Sequence, residues 1–566
     1  MKTRITRRQF LHLAASGAGI GLLAACGATP TPTATPVPTK PPAPTNTPAP
    51  APAAPTATKP PAPTNTPVPP APTAAATGNK GGMLRIAYQG DPPTLDVHWT
   101  TTYSTSWIGL HVFESLFSYD AKWAPVPELA ASYVQSADGL THTIQLRKGV
   151  TFHNGKEMVA EDVDASIRRW GKLAGPGKSL FAVLDTITSP DKYTLVFKLK
   201  SVYPLFDQSL ATATQGAVIY PKEVVDEAAA GEVKQYIGTG PYKLAEWQRD
   251  RFVRLTRYDN YASYGDKPNG LSGKKLAYLD EIRYVVVTDP SVRLSSLLSG
   301  DADYVQNPSM DQYNQLKTDK RVKTFVVGKW DLSEVIINLK SAITSDQKLR
   351  QAILAATDCE PCLLGRYINK EFIRLSPSLM ADETRWYTDV GKEFYNQKSA
   401  DKAKALLAQS KYKGETLRWL TTKEFAGFYE QALVHSQQLQ AVGINVSLQV
   451  TDWATVVATR AKPEAWELFT SGWGPFLDPM LSSQFLGTFI GWWQTDKSDA
   501  LRKTMLAETD FAKRYAAWQE LQKVWYDEVP CINYGHGANY DAMNPKLNDV
   551  NANWVTLAFW NSWLSK

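Results

Sequence analysis

Cysteine is scarce in this chain, with four in 566 residues: Cys26, Cys359, Cys362 and Cys531. Cys359 and Cys362 form a single C-x-x-C. No second such pair exists and no histidine lies near it, so a four-ligand zinc site has no ligand set. A redox reading would need a thioredoxin-like βαβ setting, whereas residues 347–368 read as an apolar helix broken by Pro361. Incidental or disulfide-paired cysteines remain the plainer reading. Acidic residues are missing altogether from 1–80, which carry seven basic ones; removing those seven from the total of 61 leaves 54 basic residues against 55 acidic for 81–566. The net charge of the remainder, −1, is not that of a basic nucleic-acid binder. No G-x-S-x-G occurs, so a serine hydrolase has no anchor. "GPGKS" at 175–179 lacks the glycine a phosphate loop needs, because Lys172 stands there. His142, His153, Glu157, Glu161, Asp162 and Asp164 lie close in sequence, but the acids at 161–164 fall in the first turn of an expected helix, where the helix dipole favours negative charge. No run of apolar residues is long enough to span a membrane; that preceding Cys26, about 15 residues, suits a signal peptide instead.

What is present begins with an address. Arg7-Arg8, then Phe10-Leu11, a mildly apolar Gly-containing run and Leu23-Ala24-Ala25-Cys26 resemble a twin-arginine lipoprotein signal, residues 1–26, ending at a cysteine that takes lipid. Within residues 27–82, the stretch 28–76 is almost only Pro, Thr and Ala, with "KPPAPTNTP" at 40–48 and again at 59–67. Such composition buries no core and favours extended polyproline II, so it reads as a disordered stalk between lipid and folded domain, with a reach on the order of 150 Å and threonines suited to glycosylation. Aromatics are abundant, with 18 Trp and 25 Tyr, which points to a surface or cleft that uses ring faces. "SGWGPFLDP", 471–479, sets Trp473 and Phe476 among Gly and Pro, so it is a loop that either fills a core or holds a ligand.

Residues 127–170 carry the most specific pattern. "THTIQLRKGVTFHNG" alternates around Asp138-Gly139, Lys148-Gly149 and Asn154-Gly155 as β-hairpins do, and "AEDVDASIRRW" places Val163, Ile167 and Trp170 on one helix face. Leu129-Ala130-Ala131-Ser132-Tyr133, Leu146-Arg147-Lys148-Gly149-Val150, Phe152-His153-Asn154-Gly155 and Ala160-Glu161-Asp162-Val163 closely resemble the signature of the family 5 solute-binding proteins of ABC importers, the oligopeptide- and dipeptide-binding group. "GTGPYKLAEWQ" at 238–248, "LDEIRYVVVTDPSVRLSSLLSGDADYV" at 279–305, "SGWGPFLDP" and "EVPCINY" at 528–534 recur in the family's order, so the resemblance spans about 84–566.

The resemblance implies an α/β fold of the two-lobed periplasmic-binding-protein type (class II). The first lobe is expected at 84–117, 201–306 and 530–566, an extra domain inserted in it at 118–200, and the second lobe at 307–529. Ligand is expected between the lobes, which close on it. Peptide-binding relatives carry an Asp three residues after the loop tryptophan, which grips the peptide's α-amine; here that position is Phe476, with Asp478 two further on. That subsite is therefore expected to be apolar, unless the shorter loop turns Asp478 into the cleft. The ligand-binding residues expected are Trp473, Phe476, Asp478, Trp453, Arg460, Tyr103, Thr239 and Trp493, the last beside Trp492. The resemblance implies a monomeric receptor without catalytic residues, metal or cofactor. Its partners would be a peptide ligand, the ABC permease and ATPase subunits, and the membrane through lipid on Cys26, on the extracytoplasmic face. An oligosaccharide ligand, or an extracytoplasmic enzyme, is the alternative.

Overall fold

The structure is a computed structural model, and it describes residues 78–474, 476–552 and 556–566. The signal segment, Cys26 and the stalk up to residue 77 lie outside the described residues.

The opening strand Met83–Tyr88 pairs in parallel with Glu281–Val286 on one side and with Tyr304–Val305 on the other. Phe252–Arg257 and Tyr242–Gln248 extend this half of the sheet to its edge. A second half is built from Leu417–Thr421, parallel to both Val446–Val450 and Leu468–Trp473. Two long antiparallel strands, Lys323–Ile337 and Cys531–Met543, run through both halves and join them in one sheet. Residues 323–327 pair with 539–543 in the first half, and 332–337 pair with 468–473 in the second.

The pairing directions fix where a cleft lies. Strand 304–305 is antiparallel to 531–543, so it and its parallel neighbour 83–88 point toward the second half. Strand 468–473 is antiparallel to 323–337, so it and 417–421 point toward the first half. The carboxyl ends of the parallel strands thus face each other across the crossing strands, the position where ligands bind in open α/β sheets. At the crossing the ladder breaks between Val327 and Asp331. Gly328 there has φ +40°, and a Cβ on it would come within 2.8 Å of the Trp330 ring.

Each half has its own hydrophobic core. The first core also takes in Trp330, Ala381 and Leu477, and Trp330 meets Trp123 edge-on at 4.7 Å. A separate four-stranded antiparallel sheet covers 130–199, in the order 130–135, 141–146, 194–199, 184–191. Helix Ala160–Leu173 packs on it through buried Val163, Ile167 and Trp170, the face set by the spacing of those residues. The ionisable residues here brace the chain. Asp162 is buried and accepts from the N–H groups of Val159 and Lys222 and from Lys156, and His153 bonds the Gly240 carbonyl at 3.0 Å. His142 stacks on Phe206 at 3.9 Å and meets the Tyr133 hydroxyl at 2.7 Å.

Cys359, Cys362 and Cys531 are free and buried. The break expected at Pro361 falls earlier: one helix ends at Ala356 and another, Cys359–Tyr367, starts from an Asp358 cap with Pro361 in its first turn. A first-turn amide has no partner within the helix, so proline costs nothing there. Burial pushes the Cys359 thiol up to about 12, which leaves no reactive thiolate. Among the described residues no helix is long and apolar enough to cross a membrane, and no group of three or more His, Cys, Asp or Glu side chains could hold a metal ion.

Candidate functional site

The loop that begins at Ser471 is the end of strand Leu468–Trp473 and its continuation. Trp473 is half-buried, meets Phe489 edge-on at 5.1 Å and Phe476 at 6.0 Å, and donates its indole N–H to Glu334. Glu334, on a crossing strand, is completely buried; burial pushes its pKa up to about 8, so it is mostly protonated at neutral pH. Its second oxygen has no partner in the structure. Gly472 lies close to Arg366, and a Cβ there would come within 2.6 Å of a guanidinium nitrogen and push the arginine aside. Arg366 in turn reaches Asp331 at 2.6 Å and the Ser333 hydroxyl at 3.0 Å, and lies over the Phe428 ring at 4.7 Å.

Asp478 is fully buried. Its carboxylate accepts from the Met480 N–H at 2.9 Å and pairs with the Arg514 guanidinium at 2.9 Å. It caps the turn Pro479–Leu481 and neutralises a buried arginine, so its charge is already matched. Phe476, half-buried beside Trp473, leaves the start of this loop without a carboxylate.

Trp453 opens the helix Trp453–Arg460, held by the Asp452 cap. Its ring meets Phe425 edge-on at 4.9 Å, and Arg460 from the same helix lies over it at 5.4 Å and over Phe469 at 5.0 Å. Phe425 is 43% exposed, so this aromatic group has an open side. Across the crossing strands, Tyr103 starts the helix Tyr103–Val112, is 40% exposed and stacks on Trp107 at 5.9 Å. Two expected residues lie in the lobe interiors instead. Thr239 is buried and donates to Glu114, part of a buried Glu114–Lys275–Glu128 network. Trp493 is buried, donates to Glu528 at 2.6 Å and packs edge-on against Trp525 at 5.3 Å. Trp492 lies in irregular chain with φ +53°, not on a strand, and its half-buried ring meets Lys340 at 4.7 Å.

The structure adds a cavity of about 160 Å³ at the ends of the first-lobe strands. Tyr103, Trp107, Gln306, Asn307, Asn539 and Asp541 contribute to its wall. Asp541 is buried, and burial pushes its pKa up to about 6, which leaves it ionised at neutral pH. Gln306 follows the strand 304–305 and Asp541 lies on the strand 531–543. No local motif marks either one; only the position just past a strand end hints at Gln306.

Two lobes whose strand ends face one another across a pair of crossing strands define the periplasmic-binding-protein class. The described fold superimposes on the substrate-binding protein CtaP of Listeria monocytogenes with a TM-score of 0.75 at 21% identity, covering 86% of this chain and all of that one. It also superimposes on the oligopeptide-binding protein AppA of Bacillus subtilis, solved with a nonapeptide, with a TM-score of 0.62 at 23% identity and the same coverage. In sequence the chain is 26% identical over 443 residues to a probable peptide ABC transporter periplasmic-binding protein of Sinorhizobium fredii, spanning 75% of this chain and 83% of that protein. Residues 124–492 match the model for bacterial extracellular solute-binding proteins, family 5 Middle, and the chain belongs to that family.

Proposed function

We propose that this protein is the receptor of an ABC import system, capturing a peptide-class solute between its lobes and delivering it to the membrane permease. The observation that carries this reading is the cleft itself: the carboxyl ends of two parallel strand sets face each other across a crossing weakened by a bulge and Gly328. The first lobe is proposed at 84–117, 201–306 and 530–566, with the domain 118–200 inserted, and the second at 307–529, except that the two crossing strands belong to both: 323–327 and 539–543 lie in the first half, 331–337 and 531–537 in the second, and the crossing at 328–330 is the hinge. Lipid on Cys26 holds the molecule to the extracytoplasmic face of the membrane through the stalk, after export by the twin-arginine route. The carboxylates near the cleft support binding rather than catalysis. Asp331 and Asp478 are paired with arginines, and Glu334 is held by an indole, which is a positioning arrangement and not a nucleophile with its base.

In the second lobe, Trp473, Phe476, Trp453 and Arg460 form the ligand wall, with Tyr103 opposite. Phe476 makes an apolar subsite where peptide-binding relatives place an amine-gripping Asp, and Asp478 stays on Arg514. The half-exposed rings on both walls also suit the faces of sugar units, which keeps an oligosaccharide as the second reading. Thermal-shift screening of the protein against peptide and oligosaccharide libraries separates the two. A ligand at 100 times its dissociation constant adds about 2.7 kcal/mol of stability. Stabilisation by peptides is expected; stabilisation by oligosaccharides alone would replace the peptide reading.

A further inference from the structure

The cavity at the strand ends of the first lobe contains a carboxylate without a counter-ion. Asp541 accepts from the Asn307 N–H at 2.9 Å and from the Tyr304 hydroxyl, and it enters none of the ion pairs among the described residues. Arg293, whose field reaches it, spends its guanidinium on the backbone carbonyls of Val287, Thr288, Gln306 and Asn307. Two more polar atoms in residues lining the same cavity have no partner: the indole N–H of Trp107 and the side-chain oxygen of Gln306. Trp107 is 8% and Gln306 5% exposed, so neither is satisfied by open solvent. Buried donors and acceptors are nearly always paired in native proteins, so a lone donor, a lone acceptor and an unmatched carboxylate around one space mark a site awaiting a partner. Water would satisfy the donor and the acceptor but not the charge. A neutral sugar has the same shortcoming.

Resting on the receptor reading above, we infer that this cavity is the subsite for the ammonium end of an aminoacyl group. The ammonium donates to Asp541 and to the Gln306 side-chain oxygen. The carbonyl oxygen that follows it accepts from the Trp107 indole N–H. Tyr103 packs against the rest of the residue. The cavity, about 160 Å³, has room for one small aminoacyl unit. The second lobe then needs no amine clamp of its own, which fits Phe476 in its loop and Asp478 committed to Arg514.

The test is saturation-transfer NMR on the full-length protein near neutral pH, with L-alaninamide and N-acetyl-L-alaninamide as probes. Alaninamide is expected to bind saturably, and the acetylated probe about tenfold more weakly or worse, because it lacks the charge that Asp541 would meet. Asp541→Asn keeps an oxygen for the Asn307 N–H but removes the charge, and should weaken alaninamide about tenfold or more. Trp107→Phe removes only the N–H and should weaken it several-fold; it carries the test if Asp541→Asn fails to fold. Equal binding of the two probes, no binding to the wild type, or alaninamide binding unchanged in both variants overturns the subsite. Retention of peptides from a tryptic casein digest is measured alongside. A protein that retains digest peptides but fails the alaninamide test loses the subsite alone. One that retains none loses the peptide reading, while the alaninamide result still decides the subsite.

Discussion

At the scale of single residues, two buried carboxyl groups behave in opposite ways. Burial pushes the Asp478 pKa up, but the Arg514 guanidinium 2.9 Å away opposes that push and pairs with it, so removing the carboxylate strands Arg514 in the interior. Asp478→Asn should therefore destabilise the fold by about 3–5 kcal/mol in chemical denaturation while leaving peptide affinity almost unchanged. Phe476→Asp, in contrast, should add a second amine clamp at the other wall, so that free-amine peptides gain affinity even when Asp541→Asn has removed the first-lobe carboxylate. If the wild type binds such peptides tightly and a folded Asp478→Asn loses them, the apolar subsite is wrong. Glu334 is the protonated counterpart. Burial holds its pKa at about 8, against an ordinary value of 4.5, so between those values the folded state keeps a proton that the unfolded chain has lost. Its contribution to stability is whole below pH 4.5 and falls as pH rises through that window, by about 1.4 kcal/mol per pH unit. Glu334→Gln has no proton to lose, so the fall in stability between pH 6 and 8 should flatten by about that slope. An unchanged slope would mean that Glu334 is ionised in the folded protein.

At the scale of elements, helix Cys359–Tyr367 makes a plain prediction. Both of its thiols are buried: Cys359 faces the Asn533 carbonyl at 3.7 Å and Cys362 the Gln438 side chain at 3.8 Å. With Cys531 they should react with a thiol reagent only as fast as the protein unfolds, and a fast-reacting fraction in native Cys26→Ser protein would contradict that burial. Elements of this kind were legible in the sequence where periodicity and capping are local. Val163, Ile167 and Trp170 identify the buried face of their helix. The break beside Pro361 was legible as a break but not in position, because a proline in a first turn starts a helix as readily as it ends one. The site was legible only in part. Trp473 and Tyr103 stand at the ends of their elements, whereas the partner of Asp478 lies 36 residues away and the Gln306–Asp541 cavity joins strands more than 200 residues apart. Such pairings are set by register across the sheet, which no local pattern records.

At the scale of the whole molecule, anchoring and closure are separable. In the receptor proposed here Cys26 is the acceptor for lipid, so Cys26→Ser should keep its ligand affinity and leave the membrane fraction; equal partitioning of variant and wild type would refute the anchor. Closure depends on the crossing strands. The two cores overlap at the crossing, the first taking in Trp330, Ala381 and Leu477 and the second Ala87, Leu294, Leu297 and Val305, and the two long strands pass between them through a bulge at 328–330; in the proposed receptor the soft degree of freedom is rotation about that bulge. The walls that would meet on rotation are those carrying the exposed rings of Tyr103 and Phe425. A ligand touching both walls binds the closed form better than the open one, and only that difference can shift the balance. Small-angle scattering should then show a smaller radius of gyration at saturating ligand. Gly328→Val places a branched side chain at φ +40° and against the Trp330 ring, where any Cβ already comes within 2.8 Å. It should weaken ligand affinity and reduce the ligand-dependent contraction while each lobe keeps its core. A contraction of full size in that variant would move the hinge away from residue 328, and no contraction in the wild type would remove closure itself.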